Sequence, residues 1–187
     1  MGKNKKRNSR ILPKYLKKEE VKKLIESAEN LRDKVALELL YTTGMRVGEL
    51  SRLRVEDIDF EEGVIVVRGA KGGVDNTLTV PRSTLQDVKF YLGKRKKGRV
   101  LWSRQSKGMT VRAIQHMVKK YGEKVGVDVT PHRLRHSHAV HALEAGVPIT
   151  SVQDQLGHKN LTTTQIYTKI AITDRKKHYE EKNPFEM

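Results

Sequence analysis

Only one stretch of this chain is patterned like a sheet. "GVIVVRG", from Gly63, is a run of β-branched residues, and "NTLTVP", from Asn76 to Pro81, alternates polar with apolar before a proline closes it. Between them, "AKGGVD" reads as a glycine-rich turn carrying Lys71. The other long segments repeat Leu, Val and Ile at helical spacing. The chain is therefore held to an α+β fold that is mainly α, a helical body with one small antiparallel β-sheet inserted early. No apolar run approaches the ~18 residues of a membrane span.

The helical segments are read as follows. "KYLKKEEVKKLIESAE" after Pro13 is a helix with Leu16, Val21, Leu24 and Ile25 on its apolar face. Val35, Leu37, Leu39 and Leu40 fill a buried helix that Gly44 interrupts, and a short helix follows from about Val47 to Leu53. Ser83 to Lys97 is helical and ends in a basic block. Thr110 caps a helix through about Lys124. Pro131 opens "PHRLRHSHAVHALEAG", which Gly146 ends; Pro148 starts another helix through Leu156. Further helical segments are expected over Thr162–Lys169 and Thr173–Glu181. Residues 1–12 are a basic flexible arm, since the first 23 residues carry ten Lys or Arg and only two acids. Residues 13–187 form one domain, with no repeat and no interdomain linker.

Charge narrows the partner. Thirty-eight Lys and Arg against 22 Asp and Glu give a formal charge of +16, which calls for a polyanion, most simply nucleic acid. A basic ribosomal or membrane-surface protein has the same signature. The absence of cysteine excludes disulfides, thiolate chemistry and cysteine metal sites, and fits a cytoplasmic location. No RNA-binding motif or aromatic platform is visible. "HRLRHSHAVH" lacks converging zinc ligands, because Arg135 shares a helical face with His132. Asp57, Asp59, Glu61 and Glu62 read as turn and edge residues, not as the carboxylate cluster of a magnesium nuclease.

Chemistry on a phosphodiester is still open to side chains alone. Attack on phosphorus puts negative charge on the non-bridging oxygens, which two arginines can bind with charge-assisted bonds. A histidine can donate a further bond, a lysine on a turn can protonate the leaving 5′ oxygen, and a tyrosine can attack and hold the phosphate. Arg46, Lys71, His132, Arg135, His158 and Tyr167 make up such a set. For Arg46 the alternative is a surface arginine paired with Glu49 at i, i+3. Tyr41, Tyr91, Tyr121 and Tyr179 are each compatible with structural roles. DNA contacts are expected from Lys94, Arg95, Lys96 and Lys97 in the basic block. Arg104, Lys107, Arg112 and Lys119, near or on the helix around 110–124, are expected to touch mostly phosphates, with Arg112 a candidate for guanine.

These residues, in this order, resemble the catalytic domain of the tyrosine recombinases, especially the Xer-like and phage-integrase-like members. "TGMRVGELSRLRVEDID" is similar to the segment around that family's first catalytic arginine, here Arg46. "PHRLRHSHAVHALEAGVPITSVQDQLGHKNLTTTQIYTKI" is similar to its second block. The resemblance makes His132 and Arg135 the HxxR pair, His158 the histidine of the "LGH" turn, and Tyr167, nine residues later, the nucleophile. Lys71 best matches the lysine of the strand–turn–strand. The resemblance runs from about Tyr15 to the C-terminus. It implies site-specific DNA recombination through a 3′-phosphotyrosyl intermediate with a free 5′ hydroxyl, and no metal or other cofactor. It also implies double-stranded DNA as partner, self-association on DNA through a C-terminal helix at about 173–182, and room for accessory proteins.

Two departures stand out. Where relatives carry Lys or Arg before the second strand, this chain has Asp75 and Asn76. Only about 15 to 30 residues precede the match, so the helical domain that relatives carry there is expected to be absent. That departure keeps a second reading open: a DNA-binding module that regulates or competes without productive recombination.

Overall fold

The computed structural model describes residues 15–69, 75–103 and 108–157. The expected basic arm, Lys71, Arg104, Lys107, His158, Tyr167 and both expected helical segments beyond Thr162 lie outside the described residues.

Seven α-helices and one three-stranded antiparallel sheet make up the described part: α1 Lys18–Glu26, α2 Leu31–Thr42, α3 Val47–Arg52, β1 Ile58–Asp59, β2 Val64–Val67, β3 Asn76–Thr79, α4 Arg82–Leu92, α5 Val111–Val125, α6 Pro131–Glu144 and α7 Ile149–Leu156. The fold is thus mainly helical with a small antiparallel sheet, as the sequence dictates. No helix among the described residues is long and apolar enough to cross a membrane.

α2 is the central element. Val35, Ala36, Leu37, Leu39 and Leu40 are all fully buried, and the helix packs against α1, α3, α4, α5 and α6. A helix covered on most sides needs no polar face, which is why its apolar residues follow one another instead of forming a stripe. Asn30 starts it by accepting the Asp33 N–H at 3.0 Å. At its other end the Thr43 hydroxyl donates to the Leu39 carbonyl at 2.6 Å and accepts the Met45 N–H at 3.2 Å, so one side chain stabilises the bend before α3.

α6 is also largely buried, but it carries Arg135, His136, Ser137 and His141 into the interior. Buried polar groups must be paired. Ser137 Oγ donates to the Arg133 carbonyl at 2.8 Å and accepts the Leu16 N–H at 2.8 Å, which lays residues 15–17 along α6. His141 Nδ1 pairs with the Tyr41 hydroxyl at 2.8 Å. A smaller apolar cluster of Ala139, Val140, Leu143, Val152 and Leu156 joins α6 to α7.

Three boundaries differ from the sequence reading. α1 begins at Lys18, because residues 15–17 are extended against α6, with Leu16 fully buried. The sheet gains β1, which pairs Ile58 with Ile65 and Asp59 with Val64. Two residues are too short for an alternation to be visible in sequence. α4 ends at Leu92, not Lys97: Gly93 takes φ +58°, a conformation that stops the helix and leaves Lys94–Lys97 outside it. The expected cap at Thr110 holds, accepting the Ala113 N–H at 3.1 Å; the helix opened by Pro131 is capped by Thr130, which accepts the Arg133 N–H at 3.1 Å.

Candidate active site

Three of the motif segments converge, and Arg135 joins two of them. It is 7% exposed on α6; its Nη1 donates to the Gly44 carbonyl at 2.6 Å and its Nη2 to the Leu156 carbonyl at 2.6 Å. The first carbonyl lies two residues before Arg46, and the second lies two residues before His158 in sequence. A planar guanidinium can serve two carbonyls on different elements because its donors diverge in a fixed fork.

Gly44 makes that approach possible. Its φ is +66°, and a Cβ there would stand 2.7 Å from Leu156 Cδ2 and 2.8 Å from His138 Cδ2. The interruption read from the sequence is therefore a close backbone contact as well as a turn.

Arg46 leaves this bend at the start of α3. Glu49 accepts its backbone N–H at 2.6 Å and its Nη1 at 2.9 Å, so one carboxylate fixes both ends of the residue. The i, i+3 pairing is present, yet 40% of the Arg46 side chain stays open to solvent. His132 is exposed in the first turn of α6, one turn before the buried Arg135. The i, i+3 face they share thus runs from solvent into the core.

His138 and His141 are structural. Burial, with the charge of Arg135 nearby, pushes His138 down to about 4, so it is neutral near neutral pH. Burial also lowers His141. Three of the tyrosines read as structural are so. Tyr121 is fully buried and donates to Asp33 Oδ2 at 2.9 Å; Tyr41 pairs with His141; the Tyr91 hydroxyl accepts the Trp102 N–H at 3.3 Å. Tyr15 reaches Glu144 at 3.5 Å.

The hairpin beside these segments gives both residues of the first departure, Asp75 and Asn76, a local role. Asp75 Oδ1 accepts the Gly69 N–H at 2.9 Å, closing the base of the turn that carries Lys71 in sequence. Asn76 packs against the end of α7, where a Cβ on Gly157 would stand 3.1 Å from its Nδ2. One residue escaped sequence reasoning altogether. Gln155 Oε1 accepts the Thr79 N–H at 2.9 Å, while its Nε2 donates to the Thr79 carbonyl at 2.9 Å and to the Thr43 carbonyl at 3.1 Å. A glutamine on a short helix gives no sequence signal when its partners lie 76 and 112 residues away.

The acidic cluster consists of turn and edge residues, as read. Asp57 accepts the Arg54 N–H at 3.1 Å and Arg68 Nε at 2.8 Å; Asp59 accepts the N–H groups of Glu61 and Glu62, each at 2.9 Å.

Of the residues expected to contact DNA, Arg112 and Lys119 stand on the exposed face of α5 with Gln115 and His116, at i, i+3, i+4 and i+7. Lys94, Lys96 and Lys97 are exposed as well. Arg95 differs from its neighbours. Its guanidinium lies 4.4 Å from the Trp102 ring centroid and 5.2 Å from that of Tyr91, and donates to the carbonyls of Arg99 at 2.9 Å and Val100 at 3.1 Å. The protein's own backbone and rings therefore take up a side chain that the charge run had grouped with the DNA contacts.

Comparison with known proteins places this geometry. The phage integrase family profile matches residues 14–173. The tyrosine recombinase XerA of Pyrococcus horikoshii is 47% identical over 165 residues, covering 85% of this chain and 58% of that protein. XerA of Pyrococcus furiosus is 44% identical over 190 residues, covering 96% and 66%. The crystal structure of a XerA recombinase superposes with a TM-score of 0.79 at 32% identity, over 91% of this chain and 64% of that one. XerH bound to its difH substrate in a pre-cleavage complex gives 0.73 at 27% identity, over 84% and 50%. The chain thus spans 58% to 66% of the length of these two curated relatives. With the motif order, the helical fold around one small sheet and the matched residues all in agreement, this chain belongs to the phage integrase family, among its Xer-like tyrosine recombinases.

Proposed function

We propose that this chain breaks and rejoins DNA strands at a specific site, using Tyr167 as nucleophile and no metal or other cofactor. The Tyr167 oxygen attacks the scissile phosphorus as the phenolic proton passes to solvent water. The bond from phosphorus to the 5′ oxygen breaks, and that oxygen takes a proton from Lys71. The products are a 3′-phosphotyrosyl link and a free 5′ hydroxyl. Attack by the 5′ hydroxyl of a partner strand reverses the step and exchanges strands. Arg46, Arg135, His132 and His158 bind the non-bridging oxygens, where negative charge grows in the transition state.

The observation that carries this reading is the placement of Arg135. It binds the carbonyls of Gly44 and Leu156, so the segments bearing Arg46, the HxxR pair and the approach to His158 are held at one place. Double-stranded DNA is the partner. The exposed face of α5 and Lys94, Lys96 and Lys97 supply phosphate contacts, and a second copy engages through the C-terminal helix on the DNA. The work is cytoplasmic.

The test uses supercoiled plasmid without Mg²⁺, comparing the wild type with Tyr167→Phe and stopping with SDS. Relaxed plasmid and protein-linked DNA in the wild type alone are the expected result. If the wild type gives neither on plasmid, nor on a nicked suicide duplex of its own site, while DNA binding is intact, the chain is a DNA-binding module instead.

A further inference from the structure

We propose that Gln155 is a positioning residue for strand cleavage, holding the sheet hairpin at a fixed distance from the bend that precedes Arg46. The proposal rests on the function given above.

The amide of Gln155 is fully used. Oε1 accepts the Thr79 N–H at 2.9 Å; Nε2 donates to the Thr79 carbonyl at 2.9 Å and to the Thr43 carbonyl at 3.1 Å. A primary amide has two donor hydrogens, and both have a partner here. The two bonds to Thr79 copy those of a neighbouring strand. β3 pairs with β2 on one side, through the register Val64 with Thr79 and Ile65 with Leu78. The other edge exposes N–H and carbonyl groups that a fourth strand would take. Gln155 fills that place with one side chain from a helix.

What it ties together gives the contact its meaning. Thr43 is the last residue before the Gly44 bend and Arg46. β3 closes the hairpin whose turn contains Lys71 in sequence. Gln155 sits three residues before His158. Arg135 fastens the bend to the end of α7, and Gln155 brings in the hairpin. Asn76, at the start of β3, lies against Gly157, so the strand and the helix end meet along their length. Gln155 is only partly buried, so apolar packing does not explain it. A proton donor on the hairpin must lie within hydrogen-bond reach of the leaving oxygen, and a misplacement of about 1 Å costs on the order of 100-fold in rate.

The substrate for the test is a suicide duplex recovered by SDS-trapped capture from a random-sequence pool. It is used with an ordinary phosphate and with a 5′-bridging phosphorothiolate at the scissile position. In the second, the phosphorus–sulfur bond breaks and a thiolate departs without needing a proton. Gln155→Met keeps the length of the side chain and removes its polar atoms. It is expected to fold with a somewhat lower unfolding midpoint, to keep the wild-type DNA affinity, and to cleave the ordinary duplex roughly 10- to 100-fold more slowly at a temperature where it stays folded. The sulfur substrate should restore its rate to within about threefold of wild type. In the DNA-free protein, the Thr79 amide should exchange with solvent faster than in the wild type. Gln155→Glu keeps one acceptor for Thr79 and loses both donors, so it should show the same rescue if Gln155→Met does not fold. Wild-type cleavage of the ordinary duplex or unchanged Thr79 exchange would each overturn the proposal, as would equal slowing on both duplexes where sulfur rescues Lys71→Ala. Lys71→Ala separates the two readings. If sulfur rescues Lys71→Ala but not Gln155→Met, the positioning role fails alone. If it does not rescue Lys71→Ala, the assigned proton donor fails, and Gln155 is then judged on Thr79 exchange and the ordinary-duplex rate.

Discussion

The guanidinium of Arg135 donates to the carbonyl of Gly44 at 2.6 Å, across 91 residues of sequence, while its other terminal nitrogen takes Leu156 at the same distance. An arginine proposed to bind phosphate is thus also part of the frame that holds its own site. Arg135→Lys tests this dual role. A single ammonium cannot serve both carbonyls with the arginine's geometry, so one is left unsatisfied in the interior. We expect a loss of about 1–3 kcal/mol in urea unfolding, together with loss of SDS-trapped DNA adduct. Full stability with lost cleavage would confine Arg135 to catalysis.

Gly44 carries the other half of the contact. Gly44→Ala forces a methyl group against Leu156 and His138 at a backbone angle of +66°. The variant should be less stable by roughly 1–3 kcal/mol, because both the left-handed conformation and the clash oppose it. Its cleavage rate at a temperature where it stays folded should also fall, since the bend leads directly to Arg46. Denaturant unfolding and single-turnover cleavage measure the two effects separately.

Two partly buried groups give stability opposite pH dependences. His138 is lowered from 6.5 to about 4 by burial. Its neutral form is the folded one, so this stabilisation is complete above pH 6.5 and is lost as pH falls towards 4, by up to about 3 kcal/mol. Glu38, on α2, is raised from 4.5 to about 7 by burial and by Asp87, against the pull of Lys34. Its contribution is complete below pH 4.5 and is lost as pH rises through 7. Glu38→Gln should therefore exceed the wild type in stability at pH 8 by roughly 1–3 kcal/mol, and the gain should disappear near pH 4. Urea midpoints across this range decide the matter; a Gln advantage that is constant with pH would exclude titration as its cause.

The basic block should separate into two classes. Arg95→Ala loses two carbonyl partners and its stacking on Tyr91 and Trp102, and is expected to lower stability by about 1–3 kcal/mol with little change in the salt dependence of DNA binding. Lys96→Ala and Lys97→Ala remove exposed charges and should leave stability unchanged. They should weaken DNA binding and reduce the log–log salt slope by roughly 0.9 for each phosphate that is no longer neutralised. Arg112→Ala and Lys119→Ala on α5 are expected to behave like the two lysines. Salt titrations of binding alongside thermal unfolding resolve the classes. If the salt slope falls for Arg95→Ala, its guanidinium also reaches DNA.

Much of this architecture was written in local pattern. The helical periodicities, the hairpin, the caps at Thr110 and Thr130 and the stops at Gly44 and Gly146 depend on residues a few positions apart. The motif order singled out Arg46, Lys71, His132, Arg135, His158 and Tyr167 as the candidate set. Local pattern failed where the cause was brief or distant. β1 is two residues long, α4 stops because of one glycine conformation, and charge alone could not distinguish Arg95 from Lys94, Lys96 and Lys97.

The sequence by itself determined the set of chemical groups and the elements that carry them, because propensity, periodicity and motif spacing act over one or two turns of chain. Only the tertiary structure decided which of those groups meet. Arg135 reaches Gly44 and Leu156, Gln155 reaches Thr79 and Thr43, and Arg95 turns from the surface to stack on Trp102. Each of the first two contacts spans tens of residues or more. The packing of α6 against α2, and of α7 against α6 and β3, brings such partners within bonding distance, and burial then requires every polar group carried inside to find a partner.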